Sequence, residues 1–351
     1  MLRATFVGGL LSVMLLAPFA HAQDDETYAE KLGWKKGDRV LIIHVDDAGM
    51  SHSSDVGVND ALEKGIATSF SVMMPCPWVP EIVKWIKAHP GVDAGLHLTL
   101  TSEWDNYRWG PVAGKPAVPG LCDKEGCLWG NVADVVKHAT PDEVETEIRA
   151  QLDRALTMGF HPTHLDSHMG TLFATPEFLA RYIKVGIDNN IPVMLPAGHD
   201  TILKQEYREE AYARVARENK KLPADKQLDP KKVAQEEIAK RFNGIQALGQ
   251  QVWNAGLPVL DDLHNSSYDW KPENKVKNYI QAFHDLKPGV TMMIMHCTDP
   301  SCIFSDISTS GPTRKGDLMA MMNPRVKAAL KKEGIILTTW RELKKRRDAV
   351  K

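Results

Sequence analysis

The feature that most constrains this chain is the regular return of short apolar runs separated by amphipathic stretches. Residues 40–45 (VLIIHV), 69–73, 92–100, 163–167, 191–195, 257–263, 289–296 and 334–339 have the apolar, β-branched character of strands. Helical patterns stand between many of them, at 56–64, 81–88, 141–158, 176–189, 275–285 and 323–332. Strands alternating with helices predict a parallel α/β fold. The runs lack clean polar alternation, as strands covered on both faces do. About seven such repeats favour a divergent, TIM-like β/α barrel over an open sheet. No Gly-x-Gly-x-x-Gly follows the first run, which speaks against a dinucleotide site.

Two segments break the rhythm. Residues 103–128 form a long loop rich in Trp, Pro and Gly, and residues 200–250 are highly charged and helical in composition. Both read as insertions on a single barrel domain spanning 23–351. The second has the character of a solvated helical hairpin or a homodimer contact. Ahead of the barrel, residues 1–22 show an early Arg3, an apolar stretch and Ala20-His21-Ala22, the pattern of a cleaved secretory signal. The chain is therefore expected to be exported, periplasmic or secreted, with no stable membrane span after cleavage. Cys122 with Cys127, and Cys297 with Cys302, are spaced for two local disulfides in an oxidising compartment, leaving Cys76 as a buried thiol. Hydrophobic residues make up 43% and charged residues 25%, with a net charge of -2, so no basic surface offers itself to nucleic acid. The Lys344–Arg347 run reads as a solvated helix end.

Polar clusters fall where the strands end, and in a β/α barrel that is the reactive face. Asp46-Asp47 closes the first run. Adjacent strand residues face opposite ways, so the two acids either cap an exposed turn or, if the strand bends, enter one site as a cation ligand and a free base. His97 lies between leucines, where a packed core histidine is the more usual occupant. His164, Asp166 and His168 step along one face of a strand, a pattern that packing explains poorly and a metal or proton-transfer site explains well. Asp166 suits the task of orienting a ligand histidine. His296 ends the run 289–296, and Asp261, Asp262 and His264 make a weaker cluster after 257–260.

Read together, His44–Gly49 (HVDDAG), Gly95–Leu100 (GLHLTL), Thr163–His168 (THLDSH) and Met293–His296 resemble the YdjC-like carbohydrate deacetylases, whose members include chitooligosaccharide deacetylase. The resemblance implies a divergent β/α barrel and one divalent metal ion, Zn²⁺ or Mg²⁺, held by Asp47, His97 and His168. It implies Asp46 as general base, His296 as general acid, and an N-acetylated carbohydrate as substrate. His164, Asp166 and Asp262 are then expected to support the ligands or the substrate. Trp104, Tyr107, Trp109 and Trp129 could stack on sugar rings or simply pack the long loop. This chain has His44-Val45 where the family usually has Asn-Ala, and it lacks the arginine that many relatives carry near 191–195. Two other readings stay open: a metal-dependent hydrolase of another amide or ester, and a non-catalytic carbohydrate-binding protein on the same fold.

Overall fold

The structure, a computed structural model, describes residues 26–300 and 303–350. The strands are β1 (Arg39–Ala48), β2 (Ser69–Val72), β3 (Ala94–Leu98), β4 (Leu165–Ser167), β5 (Asp262–His264), β6 (Gly289–Met295) and β7 (Ile336–Leu337). They form one parallel sheet in the order β4-β3-β2-β1-β6-β5, and β7 pairs with the lower part of β1 at Val40 and Leu41. Two isolated bridges carry the path from β4 round to β5. Leu165 pairs with Val193, and Pro196 pairs with Leu260. Met194 N donates to Leu165 O at 2.8 Å and Ala197 N to Leu260 O at 3.1 Å. The sheet thus curls into a divergent barrel. The predicted strand 191–195 contributes to it only through the bridge at Val193, and 257–263 contributes the bridge at Leu260 and the first two residues of β5.

The helices are α1 (Tyr28–Lys31), α2 (His52–Glu63), α3 (Val79–Ala88), α4 (Val132–His138), α5 (Pro141–Thr157), α6 (Pro176–Asp188), α7 (Thr201–Asn219), α8 (Pro230–Arg241), α9 (Ile245–Asn254), α10 (Lys275–Asp285), α11 (Phe304–Ile307), α12 (Gly311–Met321), α13 (Pro324–Lys332) and α14 (Trp340–Ala349). Local chemistry starts several of them. Thr140 and Glu143 form a capping box ahead of α5 with Pro141 in its first turn, and Thr175 caps α6. Among the described residues, no helix is long and apolar enough to cross a membrane.

The period-two alternation of β1 divides the core. Leu41, Ile43 and Val45 join Phe70, Val72, Leu96 and Leu98 in the cluster packed under the helices. Val40 and Ile42 join Val290, Met292, Met194, Leu260 and Trp340 in a second cluster that fills the lower barrel. Residues two and four further along the inward face of β1 are His44 and Asp46, so the filling turns from apolar to polar toward the C-terminal ends of the strands. Each fully buried Leu, Ile or Val in these layers stabilises the fold by about 1.5–3 kcal/mol.

Cys122 and Cys127 are free thiols here, which corrects the expected disulfide. Cys122 sits opposite Leu128 in an antiparallel bridge, so Cys127, one residue away, faces the other side. The 297–302 pairing and the signal segment 1–22 involve residues outside those described.

Candidate functional site

The site begins with a bend in β1. Asp47 has φ 67, a left-handed conformation that Asp adopts more readily than most residues, and the pairing with β2 shifts register between Val45 and Ala48. The bend lets both Asp46 and Asp47 enter one site. His97 comes from β3, paired in register with Asp166 of β4. His168 follows β4, where Met169 and Gly170, at φ 52 and 62, turn the chain away. Gly95 clears space below them, since a Cβ there would run into the His164 ring.

Three donor atoms converge. His97 Nε2 lies 3.3 Å from Asp47 Oδ1, His168 Nδ1 lies 3.4 Å from the same oxygen, and the two nitrogens are 3.2 Å apart. Ligand atoms held at ~2.1 Å around one cation are separated by roughly 3.0–3.4 Å, so the triangle fits a single divalent ion. Asp47 Oδ1 is buried and accepts no hydrogen bond. Asp47, His97 and His168 form one of the groups suited to metal binding; another combines Asp46, His97 and Asp166, and a third His44, His164 and Asp166. The first is distinguished by its backing. His97 Nδ1 meets Asp166 Oδ1 at 2.7 Å, and His168 Nε2 meets Glu103 Oε1 at 3.0 Å. Each ring is thereby fixed with its other nitrogen turned to the triangle, the outer-shell arrangement of metal-bound histidines.

Electrostatics follow the same layout. Burial would raise the Asp47 carboxyl, but the Arg314 guanidinium and the two histidines hold it well below its usual range. Burial likewise opposes charge on His97 and His168. The carboxylates of Asp46 and Asp166 outweigh it at His97, raising it well above its usual value, and Glu103 and Asp47 outweigh it at His168, raising it to about 9.

Asp46 sits beside the triangle. Its Oδ2 is 3.7 Å from His97 Nε2 and 3.8 Å from His296 Nε2, and its Oδ1 is 3.2 Å from His44 Nε2. His296 packs edge-on against Tyr268 with ring centroids 4.8 Å apart. Burial, with help from Arg314, lowers its proton affinity. Below, His44 bonds Ser69 and Ser71 at 3.0 Å each and Asp166 Oδ2 at 2.9 Å. Burial disfavours its charge, but Asp166 and Asp46 raise it to about 9, so a cation lies beneath the two acids. His164 lies deeper still, stacked on Trp340. It reaches Asp166 only at 3.7 Å, so it supports the layer without facing the triangle.

Asp262 goes elsewhere. It accepts Ile202 N at 2.8 Å and Leu203 N at 3.1 Å, capping α7 in place of Asp200, which makes no side-chain cap bond. Register explains the separation. Asp262 is level with Thr291, which is level with Leu41, five residues below Asp46 or roughly 16 Å along the strand. Of the four loop aromatics, Trp109 donates to Thr101 O and Trp129 to Gly120 O, and Tyr107 donates to Met50 O. These three pack the loop, and only Trp104 lines the cleft over the site.

Three supporting residues escape sequence reasoning. Glu103 opens the long loop and gives no sign of its histidine partner. Arg314 and Asp317, one turn apart on α12, look like the polar face of a surface helix. Arg314 Nη1 donates to Asp47 Oδ2 at 2.6 Å, while Asp317 accepts the His296 backbone N–H at 3.2 Å and Lys275 Nζ at 2.7 Å. A guanidinium therefore does reach the site, from α12 instead of the 191–195 region.

Residues 40–332 match the family described as YdjC-like protein. The chain belongs to that family. A carbohydrate deacetylase from Thermus thermophilus is 28% identical to this YdjC-like protein over 90% of its chain and 97% of the relative. A chitooligosaccharide deacetylase from Serratia marcescens is 30% identical over 37% of this chain and 49% of that one. In fold, the protein is similar to a crystal structure of a candidate cellobiose-phosphate cleavage protein from Enterococcus faecalis V583. That likeness has TM-score 0.65 at 19% identity, over 87% of this chain and 99% of the other.

Proposed function

We propose that this YdjC-like protein is a metal-dependent hydrolase that removes acetyl groups from an N-acetylated sugar or oligosaccharide. The observation that carries the reading is the triangle of Asp47 Oδ1, His97 Nε2 and His168 Nδ1, with edges of 3.2–3.4 Å and a carboxylate behind each histidine. The deacetylase relatives supply the substrate class. Asp47, His97 and His168 would hold one divalent ion, and the His₂Asp set suits Zn²⁺ while also admitting Mg²⁺. When bound, the ion polarises the acetamide carbonyl and lowers the pKa of water.

The remaining work falls to the chain. Asp46, whose Oδ2 lies beside the triangle at 3.7 Å from His97 Nε2, takes the proton of the attacking water. His296, whose Nε2 lies 3.8 Å from Asp46 Oδ2, takes up that proton in turn and delivers it to the departing nitrogen, leaving both groups as they began. Its depressed proton affinity makes a proton placed there easy to pass on. Acetate and a free amine result. Arg314 keeps Asp47 ionised, and Asp166 and Glu103 hold the ligand rings in place. Export through residues 1–22 forms part of the same proposal.

Metal content and acetate release from N-acetylated oligosaccharides test the reading, with wild type and His168→Ala compared side by side. Near one equivalent of metal with acetate release, both lost in the variant, is the expected result. Metal without acetate release, but with cleavage of simple esters or other amides, would replace the substrate class. Sugar binding without either would leave a carbohydrate-binding protein.

A further inference from the structure

Resting on the reading of His296 as the acid, the packing beneath that residue bears on how it is aimed. The β5–β6 pairing ends at His264 and Met293, and the β1–β6 pairing ends at Val45 and Met295. The ladder therefore offers the His296 N–H no strand partner. Its acceptor is Asp317 Oδ2, which reaches it from α12 at 3.2 Å. His296 Nδ1 is buried without a hydrogen-bond partner, so no bond at that nitrogen orients the ring. The direction of the imidazole rests on its backbone and on Tyr268, packed edge-on against it.

Both supports lead to one buried ion pair. Asp317 and Lys275 are fully buried and meet at 2.7 Å, and Tyr279 Oη donates to the same carboxylate oxygen at 2.6 Å. Lys275 Nζ also donates to Ser267 O at 2.8 Å, and Ser267 Oγ donates to Ile294 O at 2.7 Å. The pair thus ties the backbone under His296 to the turn that carries Tyr268, whose own carbonyl accepts Thr313 Oγ1 from α12 at 2.8 Å. Gly316 lets α12 come this close. A Cβ there would lie 3.2 Å from Pro272 Cα and 3.4 Å from the Lys275 stem. A buried ion pair is weak evidence for stability, because both charges lose water, so a pair placed here asks for another reason.

We propose that Lys275 and Asp317 are positioning residues for proton delivery. The pair aims His296 at the departing nitrogen, and leaves ion binding and attack by water to the residues around the triangle.

A single change would strand one buried charge, so the test uses two double variants of the metal-loaded full chain, Lys275→Met/Asp317→Asn and Lys275→Met/Asp317→Leu. Both replace the pair by neutral side chains of similar size, which the fold should tolerate. Only the Asn variant keeps an oxygen for the His296 N–H. With a di-N-acetylated disaccharide, whose nitrogen must gain a proton to depart, kcat should fall by about 10²-fold in the Leu variant at unchanged KM and metal content. The Asn variant should recover most of that loss. Hydrolysis of 4-nitrophenyl acetate, whose phenolate leaves without a proton, should fall far less in either. Equal losses on both substrates, or equal kcat in the Asn and Leu variants, would overturn the positioning role. Amide exchange at His296, followed by NMR, reads the anchor without turnover. It should be faster in the Leu variant than in the Asn variant, and equal rates would also overturn the proposal. Acetate release that survives His296→Ala would overturn the acid assignment and this proposal with it. No acetate release by the wild type, with the exchange difference intact, would sink the deacetylase reading itself.

Discussion

Arg314 Nη1 and Asp47 Oδ2 meet at 2.6 Å, so the carboxylate that turns Oδ1 to the triangle has its second oxygen already engaged. The pair is buried on both sides, and breaking such a pair by removing one partner costs about 3–5 kcal/mol. Arg314→Ala should lower thermal stability by that order and release Asp47 to chelate through both oxygens, misplacing the ion. Acetate release should fall by about 10²-fold. Arg314→Lys should recover little, because a point charge cannot keep both the Asp47 and Ser310 contacts. Denaturation midpoints and kcat at saturating metal check both variants.

Glu103 and Asp166 test the metal reading from its outer layer. Glu103→Gln and Asp166→Asn each weaken the hold on one ligand ring and should reduce metal affinity by about 10–100-fold. Asp262→Asn, a change at the α7 cap, should leave metal affinity unaltered and cost about 1 kcal/mol of stability. Competition against a calibrated chelator measures the affinities.

Chelation should destabilise the fold as well as stop turnover. An ion present at 100 times its Kd adds about 2.7 kcal/mol, so treatment with chelator should lower the melting temperature, and added divalent metal should restore it. The His168→Ala protein should show no such shift.

Asp55 gives the protein a pH dependence of its own. Its Oδ1 accepts Gly49 N at 2.6 Å, but burial pushes the carboxyl up to about 8, with Glu81 adding to the rise. In the unfolded chain the same group titrates near ~3.9. Between these values the folded state holds a proton that the unfolded state has lost. Its contribution to stability is therefore present below about pH 4 and is lost as pH rises through about 8. Asp55→Asn should match the wild type at the acid end and become progressively more stable than it toward pH 8. Melting curves of the two proteins across that range decide the matter, and parallel curves would refute it.

Trp340 closes the lower barrel, stacked on His164 at 5.2 Å with its backbone N–H on Asp93 at 3.0 Å. Trp340→Ala should cost about 3–5 kcal/mol by cavity formation. Because His164 leans on it beneath Asp166, the variant should also lose acetate release before it unfolds.

Much of this was written in local sequence. Apolar runs of strand length set between amphipathic helices dictate a parallel barrel, since only covered strands tolerate such runs. Period two along β1 and β4 carries His44, Asp46, Asp166 and His168 toward the reactive end, and His97 follows in β3. These signals are legible because side-chain direction in a strand depends on position alone. What the sequence could not decide is which distant groups complete the site. Glu103 and Arg314 are ordinary polar residues in a loop and a helix until folding brings each to within 3.0 Å of a triangle residue. Asp262 carried the right chemistry after the right kind of run, yet strand register set it far below the site and at the foot of α7. Cys122 and Cys127 were close in sequence, and the antiparallel bridge turned them to opposite faces. Residue type and period are local properties, whereas register and contacts between distant segments arise only from packing, and it is packing that decided which acids and cations surround the three proposed ligands.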